Sequence, residues 1–172
     1  LHKNIKIKSK NKIRLVKGSH IITKKLYKED VAFTFQNTDK RIIFVIPYKK
    51  KFSLIGTTEV EVKSPENTVI SKQETQYLIR SVNNYLKKQI SKKDIVDTYS
   101  GIRPLIEDFK EASKVTRDYV FDLQIVKKLP LLNIYGGKLT TYRKLSEKVL
   151  LDLKKFLPKT KKGPWTDKKK LF

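Results

Sequence analysis

The chain has no cysteine and no methionine, one tryptophan, two histidines and only six glycines among its 172 residues. Without cysteine there are neither disulfides nor thiolate metal ligands, and a reducing compartment fits this composition without being demanded by it. The lack of methionine, position 1 included, leads to the expectation that these residues are a piece of a longer protein. No hydrophobic window reaches the length of a membrane-spanning helix. The first ten residues, "LHKNIKIKSK", are basic but have no apolar h-region, so they do not read as a secretory signal. Arginine is scarce as well: of 40 basic residues, six are arginine and 34 are lysine.

That last shortage qualifies the net charge of +23. Taken alone, such a charge points to nucleic acid or an anionic membrane. Base and phosphate recognition, however, favours the planar fork of arginine. The lysines are spread over nearly every polar segment, beside abundant Ile and Asn. The reading is therefore a solvated lysine surface. A lysine-rich nucleic-acid or anionic-surface binding module stays as the alternative, although nucleic acid is not the expected partner. No zinc-finger spacing, helix-turn-helix or aromatic RNA-binding signature occurs, and no metal site is expected.

What is present is a chain that is 38% hydrophobic, enough for a core. Strand signals lie at 13–17, 20–25, 31–36, 41–48 and 52–58, the last two joined by a lysine-rich turn. Ser71 and Glu74 form an S-x-x-E capping box. The helix behind it carries Leu78, Val82, Tyr85, Leu86 and Ile90 on one stripe and is expected to end near Ser91. Further strands are expected at 94–105, ending at Gly101 and Pro104, then at 117–124 and 129–135. Between them "IEDFKEASKV" reads as a polar connection. A last helix runs from Lys138 to about Leu157, with Tyr142, Leu145, Val149, Leu153 and Phe156 inward. The fold class is α+β: a mostly antiparallel sheet with a covering helix, followed by a strand–Gly-Gly–helix unit.

Three spots carry chemistry. In "YGGKLTTYRKL", Gly136 and Gly137 stand between a strand and a helix start, where backbone can come close to a neighbour. Lys138, Thr140 and Thr141 add a cation and two hydroxyls beside a helix N-terminus, which favours an anion or an electron-rich ring edge. A plain turn with a helix cap explains the same residues. A Walker A loop does not fit, because Leu132 and Leu139 occupy two of its required positions. In "YSGIRPL", Arg103 ends an apolar strand and needs an anion, either a phosphate or a structural carboxylate. In "RLVKGSHI", His20 follows a Gly-Ser turn and is either structural or a base of suitable pKa.

In combination and in this order, "RLVKGSHI", "RIIFVIPY…FSLIGTTEVE", "TYSGIRPL", "TRDY" and "GGKLTTYRKLSE" are more specific than any one alone. Over about Ile13 to Trp165 the chain resembles the FAD-dependent, quinone-linked glycerol-3-phosphate dehydrogenases, on their carboxyl side. That resemblance implies a substrate (cap) domain at 13–128 and a carboxyl-side piece of an FAD-binding domain at 129–158. A disordered lead-in, 1–12, and a tail, 159–172, flank them. It also implies oxidation of sn-glycerol 3-phosphate to dihydroxyacetone phosphate, with electrons passing to FAD and then to quinone. Gly136, Gly137, Leu139, Thr140 and Thr141 would be flavin contacts. Lys138 would reach substrate or the flavin edge, Arg103 would pair with substrate oxygens, and His20 would be the base. Arg14 and Lys17 are assigned structural roles. The resemblance further implies a cytoplasmic location, with peripheral contact on the inner face of the membrane. The dinucleotide fingerprint G-x-G-x-x-G is missing, so the chain alone is expected to be inactive unless a separate N-terminal flavin-binding half completes it. A non-catalytic scaffold retaining the fold is a third reading.

Overall fold

The structure is a computed structural model and describes residues 11–66, 68–107, 118–159, 163 and 165–169. Most of the expected lead-in (1–12) and polar connection, and half of the expected tail (159–172), lie outside the described residues. The chain divides into two units, Leu1–Val115 and Thr116–Phe172.

The first unit is built on β1 (Ile13–Lys24), a single twelve-residue strand where two short ones are expected from the sequence. Gly18 does not break it, because β1 is paired along almost its whole length with β6 (Ile95–Ile106). Its other edge is shared: β5 (Val60–Val62) pairs with residues 15–17, and β4 (Phe52–Gly56) with residues 20–24. Beyond β4 follow β3 (Ile42–Tyr48) and β2 (Phe33–Gln36), and every pairing is antiparallel. Strand β6 runs through Gly101 and Pro104 to Ile106, so Arg103 sits within a paired strand opposite Val16 rather than at a strand end. Proline is tolerated here because β6 is the edge strand.

Helix α1 (Lys72–Asn83) covers one face of this sheet. Ser71 and Glu74 form the expected capping box, with both reciprocal hydrogen bonds made. Leu78 and Val82 are fully buried against Ile21, Ile43, Val45 and Ile55. Each such side chain contributes roughly 1.5–3 kcal/mol by leaving water. The helix ends well before Ser91, because Asn83 turns its amide onto the chain ahead. Its Nδ2 donates to the Ile90 carbonyl at 2.8 Å, and its Oδ1 accepts from the Ile90 N–H at 2.9 Å. Ile90 thereby reaches the same core from a non-helical segment.

The second unit is a hairpin of β7 (Tyr119–Val126) and β8 (Leu129–Gly136), followed by a 3₁₀ turn (Leu139–Thr141) and α2 (Tyr142–Asp152). The expected helix from Lys138 to Leu157 is thus divided, with a second 3₁₀ turn at Lys154–Phe156. The expected border at 128/129 falls inside this hairpin, whereas the two units divide between Val115 and Thr116. Lys148 of α2 lies over the rings of Tyr119 and Phe121, at 5.5 and 5.3 Å from their centroids.

Candidate functional site

Strand alternation gives the first unit's sheet two faces of different character. One carries Lys17, Ser19, Ile21, Ser53 and Ile55 and is closed by α1. The other carries Gly18, His20, Gly56, Phe44, Tyr99, Gly101 and Arg103. Register aligns Phe44, Gly56, His20 and Tyr99 across four strands, with Gly18 opposite Gly101 one row along.

His20 and Arg103 come together on this second face. The Arg103 guanidinium lies over Gly18: a Cβ there would stand 2.5 Å from Nη2 and 2.7 Å from Nη1. Its Nη2 donates to Thr57 Oγ1 at 3.2 Å. The His20 imidazole lies over Gly56 in the same manner, and its ring is 5.8 Å from that of Tyr99. Two glycines unremarkable in the sequence are therefore floor plates for two long polar side chains. Both side chains are half-buried. Burial and then the Arg103 charge lower the His20 pKa from its ordinary value, against an opposing hydrogen bond with the Tyr99 backbone. The lowering favours the neutral imidazole. The site offers a neutral imidazole beside a fixed cation, an arrangement able to hold an anion and accept a proton next to it.

Arg14 and Lys17 have structural partners. Arg14 Nη2 donates to Glu61 at 2.7 Å, and Lys17 Nζ to Glu74 at 2.8 Å. Thr57, Tyr99 and the role of Glu74 behind the sheet do not stand out in the sequence. A "GTTE" turn after an apolar strand was the only available sign of the first.

The other expected site residues, Gly136 to Thr141, belong to the second unit. Gly136 and Gly137 have φ of +69° and +95°, which a Cβ would oppose. A Cβ on Gly136 would also meet the Asp118 carbonyl oxygen at 2.9 Å. The glycines thus have a reason within the hairpin itself. Lys138, Leu139 and Thr140 are exposed, and Leu139 is 88% accessible. Thr141 Oγ1 is occupied, donating to the Lys138 carbonyl at 2.8 Å. No side chain caps the turn at Lys138. A bare-backbone turn with open side chains fits a flat ring laid against it, the flavin-edge contact expected here. The phosphate-binding glycine run that would hold the rest of such a cofactor is not among the 172 residues.

A family profile described as FAD dependent oxidoreductase matches residues 2–143. The aerobic glycerol-3-phosphate dehydrogenase of Escherichia coli (strain K12) is 50% identical over 141 residues, covering 80% of this chain and 28% of the relative. The D-erythritol 1-phosphate dehydrogenase of Brucella abortus is 44% identical over 160 residues, covering 92% of this chain and 32% of the relative. The crystal structure of the Bacillus halodurans glycerol-3-phosphate dehydrogenase complexed with FAD superposes with a TM-score of 0.71 at 23% identity. That match covers 90% of this chain and 29% of that one, and it supports the fold. The chain spans about a third of the length of these relatives. On the residues matched, the chain belongs to the FAD dependent oxidoreductase family.

Proposed function

We propose that this chain is the substrate-side part of a flavoenzyme that oxidises sn-glycerol 3-phosphate to dihydroxyacetone phosphate, with electrons passing to FAD and then to a quinone. The observation that carries this reading is the Arg103 guanidinium fixed over Gly18 beside a neutral His20 on one open sheet face. Arg103 would take the substrate phosphate or its neighbouring oxygens in its fork. His20 would accept the hydroxyl proton as the adjacent carbon loses hydride. When bound, FAD supplies the two-electron acceptor for that hydride. Gly136 and Gly137 would let the ring lie against backbone, with Lys138, Leu139, Thr140 and Thr141 along its edge. In this reading the first unit serves the substrate and the second the flavin, the pyrophosphate site lying outside these 172 residues.

Relatives named for two different polyol phosphates share 50% and 44% identity with the chain, so identity alone does not select between the two alcohols. Both substrates present a phosphate next to a secondary alcohol, which is the pattern Arg103 and His20 suit. Among the described residues no helix is long and apolar enough to cross a membrane. The reading puts the assembled enzyme in the cytoplasm, against the inner membrane face where quinone is available.

Dye reduction by the full-length protein tests this reading with glycerol 3-phosphate and erythritol 1-phosphate as alternative substrates. Arg103→Lys should raise KM for the preferred substrate roughly tenfold or more, because an ammonium cannot make the forked contact. Unchanged kinetics in Arg103→Lys would remove the proposed substrate site.

A further inference from the structure

Behind the face that carries His20 and Arg103 lies a closed polar circuit centred on Glu74. Glu74 is 5% exposed, and Lys17, Ser19 and Thr58 around it are buried as well. Glu74 Oε1 accepts from Ser19 Oγ and from Thr58 Oγ1, both at 2.8 Å. Its Oε2 accepts from the Ser71 N–H at 2.8 Å and from Lys17 Nζ at 2.8 Å. Ser19 Oγ in turn accepts from Ser100 Oγ at 2.8 Å. Thr58 Oγ1 accepts from the Ser19 N–H at 2.9 Å, and the Thr58 N–H donates to the Ser19 carbonyl at 3.2 Å. Lys17 Nζ also donates to the Val69 carbonyl at 2.8 Å. The hydroxyl protons run in one direction, from Ser100 to Ser19 to Glu74 and from Thr58 to Glu74. One carboxylate therefore orients three hydroxyls.

The three hydroxyl residues are the immediate chain neighbours of the site. Ser19 stands between Gly18 and His20, Ser100 between Tyr99 and Gly101, and Thr58 follows Thr57. Successive residues of a strand point to opposite faces, so fixing one fixes the aim of the next. A helix cap needs only the Ser71 bond. The other four side-chain contacts made by Glu74 and Ser19 go to strands and to the turn that presents Thr57 to Arg103. We infer that Glu74 is a positioning residue: through Ser19, Thr58 and Ser100 it holds His20, Thr57 and the Gly18–Gly101 row in the geometry that the candidate site requires. This inference rests on the reading of that site given above.

The test is the titration of the His20 imidazole, followed by NMR in the full chain. On its own face His20 meets Arg103 and Tyr99, with Asp97 further along β6; Lys17 and Glu74 lie behind the sheet. The variant Lys17→Met/Glu74→Leu removes both charges together and substitutes apolar groups, a replacement that buried ion pairs often tolerate. Loss of positioning should let His20 move away from Arg103 and toward water, so its midpoint should rise by about half a unit or more. Asn83→Ala breaks a different, half-buried hydrogen-bond pair and should leave that midpoint in place while lowering the melting temperature. Should the double variant not fold, Thr58→Val removes one arm with little change in volume and should raise the midpoint in the same direction. A folded double variant, or a Thr58→Val protein, with an unmoved His20 titration overturns the inference. The NMR readout needs no turnover, so failure of the site reading is seen separately, as unchanged kinetics in Arg103→Lys.

Discussion

The imidazole of His20 occupies the space that a side chain on Gly56 would need: a Cβ there would stand 2.1 Å from His20 Cδ2. The two residues are paired across β1 and β4, and both lie on the sheet face away from α1. An alanine at 56 must therefore push the ring aside. We expect Gly56→Ala to cost about 1–3 kcal/mol, the range for overpacking a filled site. His20→Ala should remove the clash, so the double variant should be more stable than the sum of the singles predicts. Urea unfolding of the three proteins measures this, and strict additivity would mean that the ring has room to move.

Acid should weaken the first unit through Glu74. Burial raises its pKa, but the bonds from Lys17, the Ser71 backbone, Ser19 and Thr58 outweigh burial and bring it from 4.5 to about 2. The folded state thus binds this proton less readily than the unfolded state. The stabilisation is complete above pH 4.5 and disappears as pH falls toward 2. It amounts to about 3 kcal/mol at neutral pH. Glu74→Gln should flatten the stability profile between those two values. A wild-type profile that is level from pH 5 to pH 2.5 contradicts the network.

Two hairpin connections carry paired lysines where a left-handed backbone favours Gly or Asn. Lys49 and Lys50 have φ of 46° and 59°, and Lys127 and Lys128 have 50° and 71°. Between Val126 and Leu129, which pair across the hairpin, Lys127 and Lys128 are the whole loop, and positive φ at both is the primed turn that Asn-Gly fits best. A lysine in that region costs about 1 kcal/mol through its Cβ. Changing Lys127–Lys128 to Asn-Gly should raise stability by about 1 kcal/mol, with no effect on His20 and Arg103. A stability unchanged or lowered in chemical denaturation would count against the turn geometry.

The lowered His20 pKa makes a prediction about rate. If its neutral form accepts the substrate proton, kcat/KM should fall on the acid side with a midpoint below 6.5. Removing the Arg103 charge lifts one of the two causes of that lowering, so Arg103→Gln should move the midpoint upward. His20→Asn should abolish the acid limb. Persistence of the limb in His20→Asn would assign the base to another residue.

Which parts were legible in the sequence follows from the range of the interactions involved. The capping box at Ser71 and Glu74, the apolar stripe of Leu78 and Val82 and the Tyr48–Phe52 hairpin are local, and the sequence reading found them. The end of α1 was missed because Asn83 stops it through hydrogen bonds seven residues away. The continuity of β1 and β6 was missed because Gly18 and Pro104 look like interruptions until the two strands pair.

The candidate site divides along the same line. His20, Arg103 and the Gly136–Thr141 turn stand out as residue types in suggestive places. The sequence by itself determined the alternation that puts Ser19 and His20 on opposite faces, and the lysine surface that surrounds the fold. Only tertiary structure decided that Gly18 lies under Arg103 and Gly56 under His20, since cross-strand register joins residues 36 positions apart or more. It also decided that the helix-capping carboxylate of Glu74 reaches Ser19, 55 residues away in the chain. A carboxylate has two oxygens and several lone pairs. The local cap uses one of them, and the fold determines where the others go.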